Sequence, residues 1–301
     1  MHFFTTFLYF YILGTRIIFS KETESTDEVK EFDKILVEED GVVVLFTQPC
    51  CACTDCVEAE VLTGGMSQQL EDNLGLIIVR IKDPKLKSRY GIKKVPALAY
   101  IRNNKTAMYD GKFEFETLYS WLQENRQPST VDLDDTSFEH LTQAASGATT
   151  GDWLVVFHDG TCCKKRELIK LENAGIKLRN KVNIASVNTL KAPETAERFK
   201  ISSCPQVIFF RHQKIYRFTL PEITVKTLRN FAEGFYKNSK AEPVPLPLSA
   251  FDKFLDKTIE FFIANSYHLL IILAATTVCT ALFLIFAVMK SSAVPSKPKS
   301  Q

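Results

Sequence analysis

The chain has 301 residues and a formal net charge of +2, so its length allows about two domains of ~100–200 residues each, with appendages. A near-neutral balance with no lysine- or arginine-rich run excludes a nucleic-acid surface built on charge. The hydrophobic content of 46% is ordinary, but it is concentrated at the two ends.

The chain begins MHFFTTFLYFYILGTRIIFSKE, where the apolar run Phe3 to Leu13 has the length of a signal-peptide h-region and is too short to span a bilayer comfortably. Residues 1–20 are expected to be a signal peptide, the cleavage point being approximate. The flanks carry no basic n-region and no clean small-x-small site near Ser20, so an uncleaved anchor is the alternative.

Val29, Phe32 and Leu36 give Asp27 to Val37 a helical spacing. Val42 to Phe46 is a continuous apolar, β-branched run of the kind that is buried on both faces of a sheet. The stretch LFTQPCCACTDCVEAE then places Cys50, Cys51, Cys53 and Cys56 within seven consecutive positions, at what reads as a helix start. The residues themselves leave open a catalytic dithiol with bystanders, a metal cluster or a structural knot. A zinc site usually draws on two separated ligand pairs, whereas these four share one helix start with no histidine nearby; no metal or other cofactor is expected. Cys56 lies one turn beyond Cys53 on the same face, either as a packed thiol or as an alternative partner for Cys53. A vicinal bridge between Cys50 and Cys51 would be strained, so Cys51 is expected free or transiently oxidised.

Strands are predicted at Leu76–Ile81 and Ala97–Ile101, a hairpin turn at Asn103-Asn104, and a helix over Glu114–Gln123. The sequon Asn104-Lys105-Thr106 makes Asn104 a glycosylation candidate. The pattern then repeats. GVVVLF, PCCAC and RYGIKKVPALAYIRNNK return as DWLVVF, TCCKK and RFKISSCPQVIFFRHQK. Arg89-Tyr90-Gly91-Ile92 matches Arg198-Phe199-Lys200-Ile201, and Val95-Pro96 matches Cys204-Pro205, at an offset of 109; Cys50 aligns with Cys162 at 112. A period this long means tandem domains. The second copy has predicted strands at Trp153–His158, Val182–Val187 and Val207–Phe210, and a closing helix near Glu222–Phe235. Each copy reads β–α–β–α–β–β–α, an α/β sandwich around a mixed sheet. Residues 25–127 form the first domain and 130–238 the second.

In the linker, 239–262, the prolines of AEPVPLPLS favour an extended spacer. Phe251, Phe254, Leu255, Ile259 and Phe262 then follow helical spacing, as in an amphipathic helix at a membrane surface. From Phe261 to Met289 there is no Asp, Glu, Lys or Arg, and residues 263–289 suit a span of ~30 Å of hydrocarbon. The tail, 290–301, carries Lys290, Lys297 and Lys299 without an acid, so the positive-inside rule places it in the cytosol and the main body across the membrane, a type I arrangement. Lysines three and five residues from the end resemble the dilysine signal that retrieves such proteins to the endoplasmic reticulum, a receptor-read address.

An apolar strand, a Cys50-x-x-Cys53 opening a helix, and Gly91-Ile92-x-x-Val95-Pro96 resemble thioredoxin. Two such units behind a signal peptide resemble the protein disulfide isomerase family, and the span with its short basic tail resembles that family's transmembrane thioredoxin-related members. The resemblance covers roughly residues 26–240. It implies an α/β fold of two tandem thioredoxin-like domains followed by a single transmembrane helix. It also implies a thiol–disulfide oxidoreductase or isomerase of the endoplasmic reticulum membrane, acting on folding secretory proteins. Cys50 would be the nucleophile, Cys53 the resolving thiol, and Pro96 a cis-proline orienting substrate, with Pro205 as its counterpart. Several positions depart from the family: Pro49 replaces the tryptophan before the first cysteine, Val44 a buried acid, Ala52 the residue before the second cysteine, and Lys112 loosely matches an arginine. In the second domain the resolving position is Lys165, which implies a non-catalytic, substrate-binding unit; Cys204 should face Cys162 and Cys163, with a disulfide from Cys204 to one of them as the alternative, and all three are candidate accessory thiols with Cys51 and Cys56. The departures leave a second reading open, a redox-weak chaperone or scaffold.

Overall fold

The computed structural model describes residues 25–48, 54–147, 150–163 and 165–292. The signal segment 1–20, Pro49 to Cys53 and the tail after Ser292 lie outside the described residues. Residues up to Pro245 form one compact unit; those from Leu246 form a second.

The first unit contains two mixed sheets. In chain order, α1 (Ser25–Glu38) leads into β1 (Gly41–Phe46), α2 (Thr54–Leu74), β2 (Ile77–Ile81), α3 (Pro84–Tyr90), β3 (Ala97–Arg102), β4 (Lys105–Met108) and α4 (Phe115–Glu124). The strand order is β2-β1-β3-β4, with β1 parallel to β2 and antiparallel to β3. All six residues of β1 are buried, which is why its apolar run is unbroken. Val43 and Leu45 face Met66, Leu70, Leu98 and Leu122, while Val42, Val44 and Phe46 face Phe32, Ile81 and Leu86. Each large apolar side chain so buried stabilises the fold by about 1.5–3 kcal/mol. Asp83 caps α3 by accepting the Leu86 N–H, Pro84 opens the helix, and Gly91 ends it at φ 72°, in the left-handed region that favours glycine. Asn103 and Asn104 turn β3 into β4 with φ of 46° and 59°, as a two-residue hairpin requires.

The second sheet comprises β5 (Thr130–Leu133), β6 (Trp153–His158), β7 (Asn183–Asn188), β8 (Gln206–Arg211), β9 (Lys214–Arg217) and β10 (Ala241–Pro243), in the order β10-β9-β8-β6-β7-β5. Its helices are α5 (Ser137–Thr142), α6 (Lys165–Leu178), α7 (Pro193–Arg198) and α8 (Val225–Glu233). Phe138, Phe157, Phe199 and Phe210 cluster on one face, and Leu154, Leu171, Phe209 and Phe231 on the other. Two strands were not expected. β5 joins the far edge through β7, and β10 pairs antiparallel with β9, so the spacer's first residues belong to the sheet. Pro243 is tolerated because an edge strand can spare its N–H.

Helix α6 packs against both sheets, lying on β4 and α3 of the first and β7 of the second. At its middle, Glu172 is 1% exposed and meets Arg102 from the end of β3 at 2.7 Å, the two side chains being 1% and 2% exposed. Glu172 also accepts the N–H groups of Ser129 and Thr130, and Arg102 donates its Nε–H to the Asn125 carbonyl. Around the pair, Asn173 Oδ1 accepts the Met108 N–H, Lys177 pairs with Asp110 at 2.7 Å, and Arg179 donates to the Glu124 carbonyl.

The second unit holds α9 (Ala250–Ala264) and α10 (Ser266–Ser292). Ser249 and Asp252 form a capping box at the start of α9, which exposes Phe251, Phe254, Leu255, Ile259 and Phe262. Ser266–Lys290, with a mean hydropathy of 2.7, is the one helix among the described residues long and apolar enough to cross a membrane.

The buried ion pair makes a sharp prediction. Arg102→Met or Glu172→Leu alone strands a buried charge and should lower unfolding stability by about 3–5 kcal/mol. The double variant Arg102→Met/Glu172→Leu should recover a large part of that loss in urea titrations. Additive losses would show that the two side chains do not act as a pair.

Candidate functional site

The cysteine-bearing ends of the two sheets are built alike. In the first, β1 and β3 are in register so that Phe46 pairs with Ala97. Thr47, fully buried, continues by donating its N–H to the Ile81 carbonyl, and α2 starts at Thr54. The Cys50–Cys53 stretch therefore lies in the connection between the end of β1 and the start of α2. Pro96, half-buried, immediately precedes β3, and the Val95–Pro96 peptide bond is cis. Cys50, Cys51 and Cys53 themselves lie outside the described residues. Val44 is completely buried among apolar neighbours. Asn104 is exposed on the β3–β4 turn.

Cys56 corrects one expectation. It is 1% exposed on the first turns of α2, and it is disulfide-bonded instead of being a packed free thiol. Its position on the inner face of α2, where Cys56, Ala59, Thr63 and Met66 recur at helical spacing, accounts for the burial.

In the second sheet, β6 and β8 pair from Trp153–Phe210 to Phe157–Gln206. Just beyond the last pair, Cys162 and Cys204 are bonded to each other, with Cα atoms 5.7 Å apart. This is the Cys204 disulfide that the sequence offered as one alternative, with Cys162 as the partner. Cys204 precedes Pro205 across a second cis bond. The turn that carries Cys162 is shaped by Asp159, whose Oδ1 accepts the N–H groups of Thr161 and Cys162 and the Thr161 hydroxyl. Those hydrogen bonds, the Cys162 N–H first, hold the Asp159 carboxyl below the usual carboxylate range. Gly160 sits at φ 83° and donates its N–H to His158 Nδ1 at 3.2 Å. Burial holds the His158 imidazole below its ordinary pKa, so it is a packed neutral group at the strand end.

Cys163 is a free thiol, 6% exposed. Burial, then the nearby Glu167 and Asp159 carboxylates, push it up to about 11. Lys165, where a resolving cysteine would stand, turns its ammonium to Tyr90 of the first sheet: Nζ donates to the phenol oxygen at 2.8 Å and lies 4.4 Å from the ring centroid. Burial brings Lys165 down to about 8. Asp159, Cys162 and Cys204 place their possible metal-ligating atoms within 4.8 Å of one another, but a bonded pair offers no thiolates to a cation.

The Cys162–Cys204 neighbourhood was legible from the repeat. The Asx turn at Asp159 carried the signal Asp-Gly-Thr and was missed, and the Lys165–Tyr90 contact had no signal in the sequence, because its partners are 75 positions apart.

Residues 67–234 match the family of thioredoxin-like domains. A thioredoxin domain-containing protein of Theileria parva is 37% identical over 131 residues, which cover 43% of this chain and 60% of that protein, so the match spans less than two thirds of that relative. Similar solved structures include full-length ERdj5, at 15% identity over 66% of this chain and 29% of that one, with a TM-score of 0.44. The zinc-bound form of human ERp44 is 13% identical over 73% of this chain and 56% of that one, with a TM-score of 0.34. The first two thioredoxin domains of Naumovozyma dairenensis Eps1p are 14% identical over 73% of this chain and 98% of that one, with a TM-score of 0.29. Since the family match runs over more than half of the 301 residues, and two mixed sheets carry it, the chain belongs to the family of thioredoxin-like domains.

Proposed function

We propose that the chain is a membrane-anchored thiol–disulfide oxidoreductase or isomerase built from two tandem thioredoxin-like domains. It acts in the lumen of the endoplasmic reticulum on folding secretory polypeptides that carry thiols or disulfides. Cys50 is the nucleophile and Cys53 the resolving thiol. The observation that carries the reading is the register of β1 against β3: Phe46 opposite Ala97 brings Pro96 beside the strand end from which the Cys50–Cys53 connection leaves. A thiol ahead of a helix N-terminus is favoured as the thiolate by the unpaired N–H groups and the macrodipole. That thiolate attacks a substrate disulfide, a mixed disulfide forms at Cys50, and Cys53 displaces the substrate. Pro96 offers its neighbouring backbone groups to an extended substrate.

The apolar helix Ser266–Lys290 supports the anchor, and the lysines of the tail, together with Asn104 on an exposed turn, support a luminal body. A second reading, a redox-weak chaperone or scaffold, is favoured by Val44, because a fully buried apolar side chain replaces the acid that would help move protons.

Cys53→Ala in the full-length, membrane-bound chain tests the enzyme reading. Secretory polypeptides should accumulate as covalent adducts on non-reducing gels, collapse with a reductant, and disappear when Cys50→Ala is added. Absence of adducts from the single variant would favour the scaffold reading.

A further inference from the structure

We propose that the Cys162–Cys204 disulfide is a second thiol–disulfide exchange site, separate from Cys50 and Cys53, that accepts two electrons from a polypeptide dithiol. Three observations converge on it.

The first is where the bridge lies. Strands β6 and β8 are already paired over five positions, ending at Phe157–Gln206, and the bridge closes just beyond that end. Opening it breaks no ladder hydrogen bond. Cys204 is exposed and Cys162 half-buried, while the neighbouring Cys163 is buried and free. At this sheet end the bridge thus joins an exposed residue to a half-buried one, while the adjacent buried Cys163 is left unbonded.

The second is what receives the negative charge. The Asp159 N–H donates to Cys204 Sγ at 3.3 Å, so it stays available to hold a Cys204 thiolate. Cys162 lies three residues ahead of Lys165, the first residue of the fourteen-residue α6, on the side where a helix favours negative charge. The Asp159 carboxylate opposes both thiolates from the same turn, so the site holds charge transiently.

The third is the silence of the third thiol. With its pKa pushed up to about 11, Cys163 stays protonated at neutral pH and does not scramble the pair. Lys165 occupies the resolving position of a two-cysteine motif, and Cys204, on the segment that leads into β8, takes that position's work.

The exchange balances as follows. A thiolate of the dithiol attacks the sulfur of the exposed residue Cys204; the Cys204–Cys162 bond breaks, a mixed disulfide forms at Cys204, and Cys162 leaves as a thiolate. The second thiolate of the same polypeptide attacks its own sulfur in the mixed disulfide and releases Cys204. The polypeptide leaves oxidised by two electrons, and its two protons pass to Cys162 and Cys204 or to solvent.

The test uses the full-length chain in detergent with a reduced two-cysteine peptide as probe, acid quenching, alkylation and mass spectrometry read cysteine by cysteine. Cys162 and Cys204 should open together with no change in far-UV circular dichroism. Cys163 should be alkylated on the order of 100-fold more slowly than an ordinary thiol, as its thiolate fraction requires. In Cys162→Ser, the same peptide offered in its disulfide form should be attacked by Cys204 and held there as a mixed disulfide, one peptide sulfur leaving as a thiol and no Cys162 remaining to attack Cys204 and release the peptide. A bridge that stays closed until denaturant is added, or opens only as circular dichroism is lost, would overturn the proposal, and so would an adduct on Cys163 instead of Cys204. Because each cysteine is read separately, failure here leaves the Cys50–Cys53 reading standing, and the reverse holds too.

Discussion

The arrangement of the first unit depends on the contact between Arg102 and Glu172. Two opposite charges, 2% and 1% exposed, meet at 2.7 Å between the end of β3 and the middle of α6. Removing such charges from water costs several kcal/mol each, so the pair persists only with good geometry and further hydrogen bonds. Glu172 has them in the N–H groups of Ser129 and Thr130, and Arg102 in the Asn125 carbonyl. These partners lie at the end of α4 and the start of β5, so one ion pair fixes the crossing segment as well as the two sheets it joins. A hydrophobic pair would hold the same surfaces together but would not specify which backbone groups must face it.

Helix α6 consequently serves two roles. Its inner face closes the second sheet through Leu171, Ala174 and Leu178, and its outer side meets β4 and α3 through Ile169, Asn173 and Lys177. Its first residue, Lys165, is tied to Tyr90 at the end of α3, a few positions ahead of Pro96. The turn bearing Cys162 thus opens a helix whose position is set by the first sheet. Side chains that would carry redox chemistry in a free-standing unit, such as the one at position 165, serve the contact between the sheets instead.

What the sequence discloses and conceals follows from these contacts. Continuous apolar runs at β1 and β6 and the paired turns at Asn103-Asn104 and His212-Gln213 are set by local chemistry, and the first three were readable. Strand β5 was not, because Thr130-Val131-Asp132-Leu133 buries only its ends and is held by β7 from far along the chain. Strand β10 reads as a spacer because Pro243 argues against a strand everywhere except at an edge. Arg102 and Glu172 look like solvated charges in Ile-Arg-Asn-Asn and Leu-Glu-Asn-Ala, since no periodicity marks a charge as buried. The Cys204 neighbourhood was legible because the repeat carried it, whereas spacing alone left open whether Cys56 is bonded or a free packed thiol, and it is bonded.

The most direct measurement is the reduction potential of the individual cysteines in the full-length chain, by differential alkylation across glutathione buffers. If the proposed function holds, Cys50 and Cys53 titrate together near about −180 to −210 mV, the poise of the endoplasmic reticulum. A pair that stays oxidised below about −300 mV, or that never forms, would contradict a working dithiol and leave the chain a binding scaffold.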